Sequence, residues 1–263
     1  MNQPETHCCE RLPWDSAFFN VRIGRVLTNR LSSTIVDGMS RWCALNAIDC
    51  LYFLADANDA DTIHLAEGFG FHLVDIRMTL VRRILSEEAM PAAPEGSILR
   101  PAVPSDLDFL RAIARGSHRD SRFYFDKRFP VERCDSLYET WIQKSCAGSS
   151  AAVLVAELRG TPVGYITCNL VDPATGQIGL LAVGPSAQGL GLGNILVNTA
   201  VAWFRRQGLG RILVVTQGRN VRAQVCYQRC GFFTQTVQLW YHRWFHGGAE
   251  RRGPVASDSA GTK

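Results

Sequence analysis

Gln188-Gly-Leu-Gly-Leu-Gly193 is the stretch on which the reading of this chain turns. It follows an apolar run with strand character, Ile178-Gly-Leu-Leu-Ala-Val183, and precedes a helical pattern from Asn194 to about Arg206. Glycines let a backbone approach a ligand closely, and the first N–H groups of a helix have no acceptor within it. Those donors and the positive end of the helix dipole favour a phosphate. Strand, glycine-rich turn and helix start in that order predict a grip on a phosphorylated cofactor, though a plain tight connection can look the same.

Two familiar phosphate loops do not fit. A P-loop needs Lys followed by Ser or Thr after its last glycine, whereas Gly193 is followed by Asn194-Ile195. The dinucleotide fingerprint G-x-G-x-x-G would require a third glycine where Asn194 stands, and an acid at the end of the next strand. That strand, Arg211-Ile-Leu-Val-Val-Thr-Gln217, ends in Gln217 and carries no acid.

The loop resembles the pattern Gln/Arg-x-x-Gly-x-Gly/Ala of the GNAT acetyltransferases, and it matches at every fixed position. Downstream, Asn220-Val-Arg-Ala-Gln-Val-Cys-Tyr-Gln-Arg-Cys-Gly-Phe232 is similar to that family's Asn-x-x-Ala-x-x-x-Tyr-x-x-x-Gly-Phe. Asn220 suits a helix N-cap and Gly231 a helix stop. The resemblance covers roughly Ser97 to Trp244. It implies an α/β GNAT fold, a mixed and mostly antiparallel sheet flanked by helices, with acetyl-CoA as acyl donor and no metal. It further implies that Leu181, Ala182 and Val183 line the pantetheine arm, their N–H groups holding the acetyl carbonyl. Gln188, Gly189, Leu190, Gly191, Leu192 and Gly193 would enclose the diphosphate, with Asn220 also on the cofactor.

Amine acetylation needs a held thioester, a neutral amine, a stabilised oxyanion and a proton for the leaving thiolate. By the resemblance, Tyr227 is the general acid; a phenol with an ordinary pKa of about 10 is protonated at neutral pH. The bland alternative is a core tyrosine whose hydroxyl caps a backbone group. Many GNAT enzymes carry a glutamate as base on the strand before the loop, but Ile178 to Val183 has no acid. That absence favours an acceptor amine of low basicity, as in amino sugars, and leaves Asp172 and His118 as base candidates.

Ser117 to Pro130 is dense in aromatics and arginines and joins the first two helices of the domain. Aromatic faces stack on a base or sugar, and arginines pair with diphosphate oxygens, so Arg122, Phe123, Tyr124 and Arg128 are candidates for acceptor binding. A packed connector would use the same aromatics as anchors. Trp14-Asp-Ser-Ala-Phe-Phe19, Ser121-Arg-Phe123, Leu137-Tyr-x-x-Trp-Ile142, Ile178-Gly-Leu-Leu181 and Val215-Thr-Gln217 resemble the bacterial dTDP-fucosamine acetyltransferases within the family. That implies a nucleotide-linked (dTDP-) amino-deoxy sugar as acceptor, a place in surface polysaccharide (lipopolysaccharide) synthesis, and a homodimer. The glycine-rich loop and Lys127 to Asp135 depart from that enzyme, so the sugar and the acyl chain do not transfer. The alternatives are a GNAT acting on a peptide or other small amine, and a non-catalytic acyl-CoA-binding module.

The 263 residues divide into a partial GNAT-like domain over 1–85, a Pro-rich linker over 86–96, the acetyltransferase domain over 97–246 and a disordered tail over 247–263. The first of these rests on a faint internal repeat. Leu51 to Asp56, a helical stretch after Asn58, Gly70-Phe71 and a strand over Leu73 to Val81 parallel Ile212 to Gln217, Asn220 to Arg229, Gly231-Phe232 and Thr234 to Tyr241. The first copy lacks the tyrosine and the loop and is expected to lack catalysis, with Ser33 to Ile48 as its first helix. The net charge of +4 is small and unclustered, which gives no support to nucleic-acid binding. No run is long enough to span a bilayer, and the start of the chain does not read as a secretory leader. The nine cysteines, without a C-x-x-C pair, read as reduced thiols of a cytoplasmic protein.

Overall fold

The computed structural model describes residues 8–85 and 92–245. The expected tail over 247–263 lies outside them, as does the 86–91 part of the expected linker. In chain order the strands and helices are β1 (Cys9–Arg11), α1 (Pro13–Phe19), β2 (Ile23–Val26), α2 (Ser33–Leu45), β3 (Cys50–Asp56), α3 (Ala60–Gly68) and β4 (His72–Arg83). There follow β5 (Ser97–Pro101), α4 (Leu107–Gly116), α5 (Arg122–Phe125), α6 (Val131–Lys144), β6 (Ala152–Leu158), β7 (Thr161–Asp172) and β8 (Thr175–Val183). The chain closes with α7 (Leu192–Arg206), β9 (Arg211–Gln217), α8 (Val221–Arg229) and β10 (Phe233–Trp244).

The chain forms two compact units that do not follow sequence order. One holds the chain up to Leu73 together with Trp240 onward, and the other holds Val74–Leu239. Most of β4, the strand expected to close the N-terminal domain, therefore belongs to the second unit, and the end of β10 belongs to the first.

In the first unit, β2 pairs antiparallel with β1 and parallel with β3. Its core is aromatic. Phe53 lies 5.5 Å from Phe71 and 6.3 Å from Tyr241, and Tyr52 stacks on His242 at 4.5 Å. Ser32 caps α2 by accepting the Ile35 N–H, and the helix ends at Leu45, earlier than the Ile48 expected from sequence.

The second unit is the α/β GNAT fold, a mixed sheet in the order β4-β9-β8-β7-β6-β5 with helices against it. Every adjacent pair is antiparallel except β8 with β9. Leu154, Ala156, Ile166 and Cys168 alternate along β6 and β7 and pack with Leu196, Val197, Ala200 and Phe204 of α7. Burying each such side chain contributes roughly 1.5–3 kcal/mol. The alternate residue Tyr165 faces the other way, toward His118 beyond the end of α4.

The two stretches compared as an internal repeat share their helix caps. Asp59 accepts the Thr62 N–H at the start of α3, and Asn220 accepts the Ala223 N–H at the start of α8. Each helix closes with Gly-Phe in the same geometry. Gly70 (φ +82) and Gly231 (φ +79) take the left-handed turn, and Phe71 and Phe232 donate back to Ala66 and Tyr227 at 3.0 Å. The elements β1, α1, β2 and α5 had no expectation from sequence. None of the nine cysteines is bridged, and all but Cys146 and Cys226 are buried. Among the described residues no helix is long and apolar enough to cross a membrane.

A Cβ built on Gly176 of β8 would overlap the ring of Phe204. Gly176→Ala is expected to destabilise the protein by roughly 1–3 kcal/mol through overpacking, read as a lower denaturant midpoint with an unchanged slope. An unchanged midpoint would show that the Phe204 ring gives way freely.

Candidate active site

The parallel ladder between β8 and β9 is short. It runs from Thr175↔Arg211 to Ile178↔Val214 and stops, while β8 continues to Val183 and β9 to Gln217. The two strands part at their carboxyl ends, where open α/β sheets hold ligands. A bulge accompanies the parting. The β7–β8 register shifts between Ile166 and Cys168, and Thr167 Oγ1 accepts the Leu180 N–H at 2.8 Å. Gly179 is required there, because a Cβ would lie 2.6 Å from Thr167 Oγ1 and 2.8 Å from Asn169 Nδ2.

Past the bulge, alternation decides which backbone groups are free. Gly184 N–H donates to Val163 O at 2.7 Å, so by antiparallel alternation Ala182 also faces β7 while Leu181 and Val183 face away. The Val183 carbonyl on that side accepts Gln188 Nε2 at 3.0 Å. The N–H groups of Leu181 and Val183 face the gap left by β9.

The loop after β8 presents more donors. Gly189 (φ +86) and Gly191 (φ +76) both take the left-handed conformation, and an added Cβ at either would meet nothing within 4 Å. Gly191 caps α7, which starts at Leu192, two residues earlier than expected from sequence, with no side chain on its first N–H groups. Among the described residues, no acceptor is found for the N–H groups of residues 189–194. Gln188 braces the loop, since its Oε1 accepts Arg222 Nη1 at 2.8 Å from α8. Arg222 was not singled out in the sequence, which carries no signal for this contact across 34 residues.

Tyr227 sits on α8, buried, with its ring 5.7 Å from Phe232. Its hydroxyl makes no hydrogen bond to a described residue, so the reading of a tyrosine capping a backbone group finds no support. Burial pushes its phenol up, which keeps it protonated. Its neighbours tie α8 to α7: Cys230 Sγ lies 3.6 Å from Asn194 O and 3.5 Å from Asn198 Nδ2. Asn220 uses its side chain to cap α8.

The acceptor candidates fall in different surroundings. Phe123 is buried, packed edge-on to Phe129 at 5.6 Å and Trp141 at 6.3 Å, which makes it an anchor of the segment. Arg122 lies over that ring at 4.2 Å. The Tyr124 hydroxyl donates to Asp135 at 2.7 Å, and Asp135 also takes Arg119 at 3.1 Å. Burial first, and then that carboxylate, push the Tyr124 phenol up. Arg128 is exposed, its N–H on Asp126 Oδ1. The two base candidates separate. Asp172 is the last residue of β7, accepting the Ala174 N–H of the turn at 2.8 Å, at the opposite end of β8 from Val183. His118 stacks on Tyr138 at 4.6 Å with Nε2 3.3 Å from the Tyr165 hydroxyl.

Residues 118–232 match the acetyltransferase (GNAT) family model. The chain is 27% identical over 146 residues to the spore coat polysaccharide biosynthesis protein SpsD of Bacillus subtilis, covering 56% of this chain and 50% of that protein. It is 26% identical over 227 residues to mycothiol acetyltransferase of Salinispora arenicola, covering 84% of this chain and 68% of the relative. The likeness to mycothiol acetyltransferase of Rhodococcus opacus is 41% over 72 residues, covering 27% of this chain and 24% of the relative. The chain thus spans from about a quarter to two thirds of the length of these relatives. The fold is shared with a GCN5-related N-acetyltransferase from Sphaerobacter thermophilus at a TM-score of 0.66 and 15% identity, covering 90% of this chain and 76% of that one.

Burial pulls the His118 imidazole down to about 4. A neutral imidazole favoured by the fold contributes stability above its ordinary pKa of about 6.5 that is lost as pH falls toward the folded value. Its ring resonances in NMR are expected to stay those of the neutral form at pH about 6. A midpoint near the ordinary value would place the ring in solvent.

Proposed function

On the premise that the chain is a GNAT-superfamily acetyltransferase, we propose that it moves an acetyl group from acetyl-CoA to the amine of a nucleotide-linked amino-deoxy sugar. The observation that carries the transfer is the parting of β8 from β9 beside the open donors of residues 189–194, with Tyr227 on the adjoining helix. Bound acetyl-CoA supplies the thioester. Residues 189–194 and Arg222 suit its diphosphate, combining backbone donors, a helix start and a cation. The N–H groups of Leu181 and Val183 suit the amides of an extended arm laid along β8, as an added strand would lie. Tyr227, kept protonated, gives its proton to the departing sulfur, and the phenolate regains one from the new amide nitrogen.

The acceptor reading rests on different support. Arg122, Tyr124 and Arg128 lie together on an aromatic and basic segment, suited to a base, sugar and diphosphate. The absence of an acid on β8 fits an amine of modest basicity. The relative named for spore coat polysaccharide biosynthesis points the same way. A second reading, a small amine without a nucleotide, is favoured by Asp135, which already engages Arg119 and Tyr124, and by the relatives named mycothiol acetyltransferase. A homodimer and a cytoplasmic setting, where acetyl-CoA is made, belong to the same proposal.

Thiol release from acetyl-CoA against a panel of dTDP- and UDP-amino sugars, with free amino sugars beside them, tests both readings. Turnover confined to the nucleotide-linked amines is the expected result; turnover of free amines alone selects the second reading. Tyr227→Phe is expected to lower turnover by roughly 10²-fold or more while calorimetric binding of acetyl-CoA is retained. Normal turnover in that variant removes Tyr227 from the proton transfer.

A further inference from the structure

Two carboxylates are buried among the described residues, Asp75 and Asp106. Asp106 is fully engaged. It takes Arg100 through both oxygens at 2.7 and 2.9 Å and the Val103 N–H at 2.8 Å, and Arg100 holds its carboxyl below the usual range. Asp75 is held differently. Its Oδ1 accepts the N–H of its own neighbour Ile76 at 2.8 Å, and the Arg122 backbone also donates to it. Arg219 comes no closer than 3.9 Å, beyond hydrogen-bond reach. That guanidinium instead donates to Val74 O at 2.7 Å and lies over the Phe125 ring at 3.9 Å. Burial outweighs these partners and pushes the Asp75 carboxyl up to about 6. A buried carboxylate whose charged form the fold disfavours is a candidate for a role other than packing.

Its position gives it a use. The β4–β9 register begins at Arg77↔Gln217, and the Gly218 N–H donates to Ile76 O at 2.7 Å. Asp75 therefore lies just past the carboxyl end of β9, on the end of the sheet where β9 has left β8. Arg122 of α5 and Arg219 of the turn before α8 face it, and the Tyr138 phenol of α6 feels its charge. Tyr138 in turn stacks on His118 at 4.6 Å and on Tyr124 at 6.2 Å. Asp75 thus stands between the strand gap and the aromatic, basic segment.

We propose that Asp75 is the proton acceptor for the incoming amine, the task for which β8 carries no acid. This rests on the acetyl-transfer reading. The acceptor arrives as an ammonium ion and gives one proton to the Asp75 carboxylate, directly or through one water. The freed amine forms its N–C bond to the thioester carbon as the C–S bond breaks, and the sulfur takes the Tyr227 proton. The new amide nitrogen sheds its extra proton to the Tyr227 phenolate, and Asp75 releases its own to solvent. The sum is ammonium plus thioester to amide, thiol and one proton. Asp75 works only when ionised, so kcat/KM falls as pH drops through its titration, with Arg122, Arg219 and Tyr138 as the groups that face it.

The test uses the full chain and acetyl-CoA, with the panel amine of highest kcat/KM as acceptor. Asp75→Asn is expected to lower kcat/KM by roughly 10²-fold, to lose the acidic limb expected of the wild type near about 6, and to bind acetyl-CoA unchanged. Its Tm at neutral pH should equal or exceed that of the wild type, because a disfavoured charge has gone. Asp75→Glu should keep a limb. Wild-type activity and an unchanged limb in Asp75→Asn overturn the assignment and leave the transfer reading standing. A lower Tm with lost acetyl-CoA binding shows a structural ion pair and also overturns it. If the wild type binds acetyl-CoA but acetylates no amine of the panel, the transfer reading falls, and this one with it.

Discussion

Four residues of parallel pairing and then none is the constraint on which the site depends. A ladder from Thr175 to Ile178 anchors β8 to β9, and the same strands then diverge. Divergence leaves backbone donors without acceptors, and each such group left dry and unpaired costs roughly 1–3 kcal/mol. On β8 the donors so left are those of Leu181 and Val183, because the bulge at Thr167 turns alternate groups back into β7. Gly176 and Gly179 make both halves possible. The first admits the Phe204 ring under the paired segment, and the second admits Thr167 and Asn169 at the turning point.

What opens on one side is braced on the other. α7 and α8 follow the carboxyl ends of β8 and β9, and their starts are fixed by different chemistry. The first is left open by two left-handed glycines, so its donors stay available. The second is closed by Asn220, and its far end is locked by Gly231 and by Phe232, which donates to the Tyr227 carbonyl. That last bond sets the turn from which the Tyr227 ring projects. A residue buried for packing and a phenol held protonated by the same burial are one arrangement here.

Features made by neighbours in sequence were legible before any coordinates. The glycine pattern of residues 188–193, the Asn220 cap and the Gly231-Phe232 stop are local chemistry; the cap and the stop form as expected, while the helix after the loop starts two residues early, at Leu192. The Gly70-Phe71 stop was legible for the same reason, since it obeys the same helix-stop rule. Short elements such as β1 and α5 were not, having too few residues to show a period. Nor was the role of Phe123, whose burial depends on Phe129 and Trp141 arriving from elsewhere. Arg222 meets Gln188 across 34 residues of chain, a pairing that no spacing rule announces.

Asp75 was hidden by the deepest of these non-local effects. On the sequence it belongs to the copy without a loop or a tyrosine, the half expected to lack chemistry. In the fold, the last strand of that copy joins the compact unit of the other, and the end of β10 is given back to the first. A strand handed over in this way carries its side chains to a register set by β9, and that register ends two residues after Asp75. An acid on β8 itself would lie on the strand proposed to hold the thioester. An acid on β4 approaches from the far side of β9, past Gly218, which packs against Ile76 with no side chain of its own. On the proposed mechanism the exchange separates the two tasks of the site by strand, with acyl positioning on β8 and proton removal on β4, and the N-terminal copy supplies a residue that the C-terminal copy lacks.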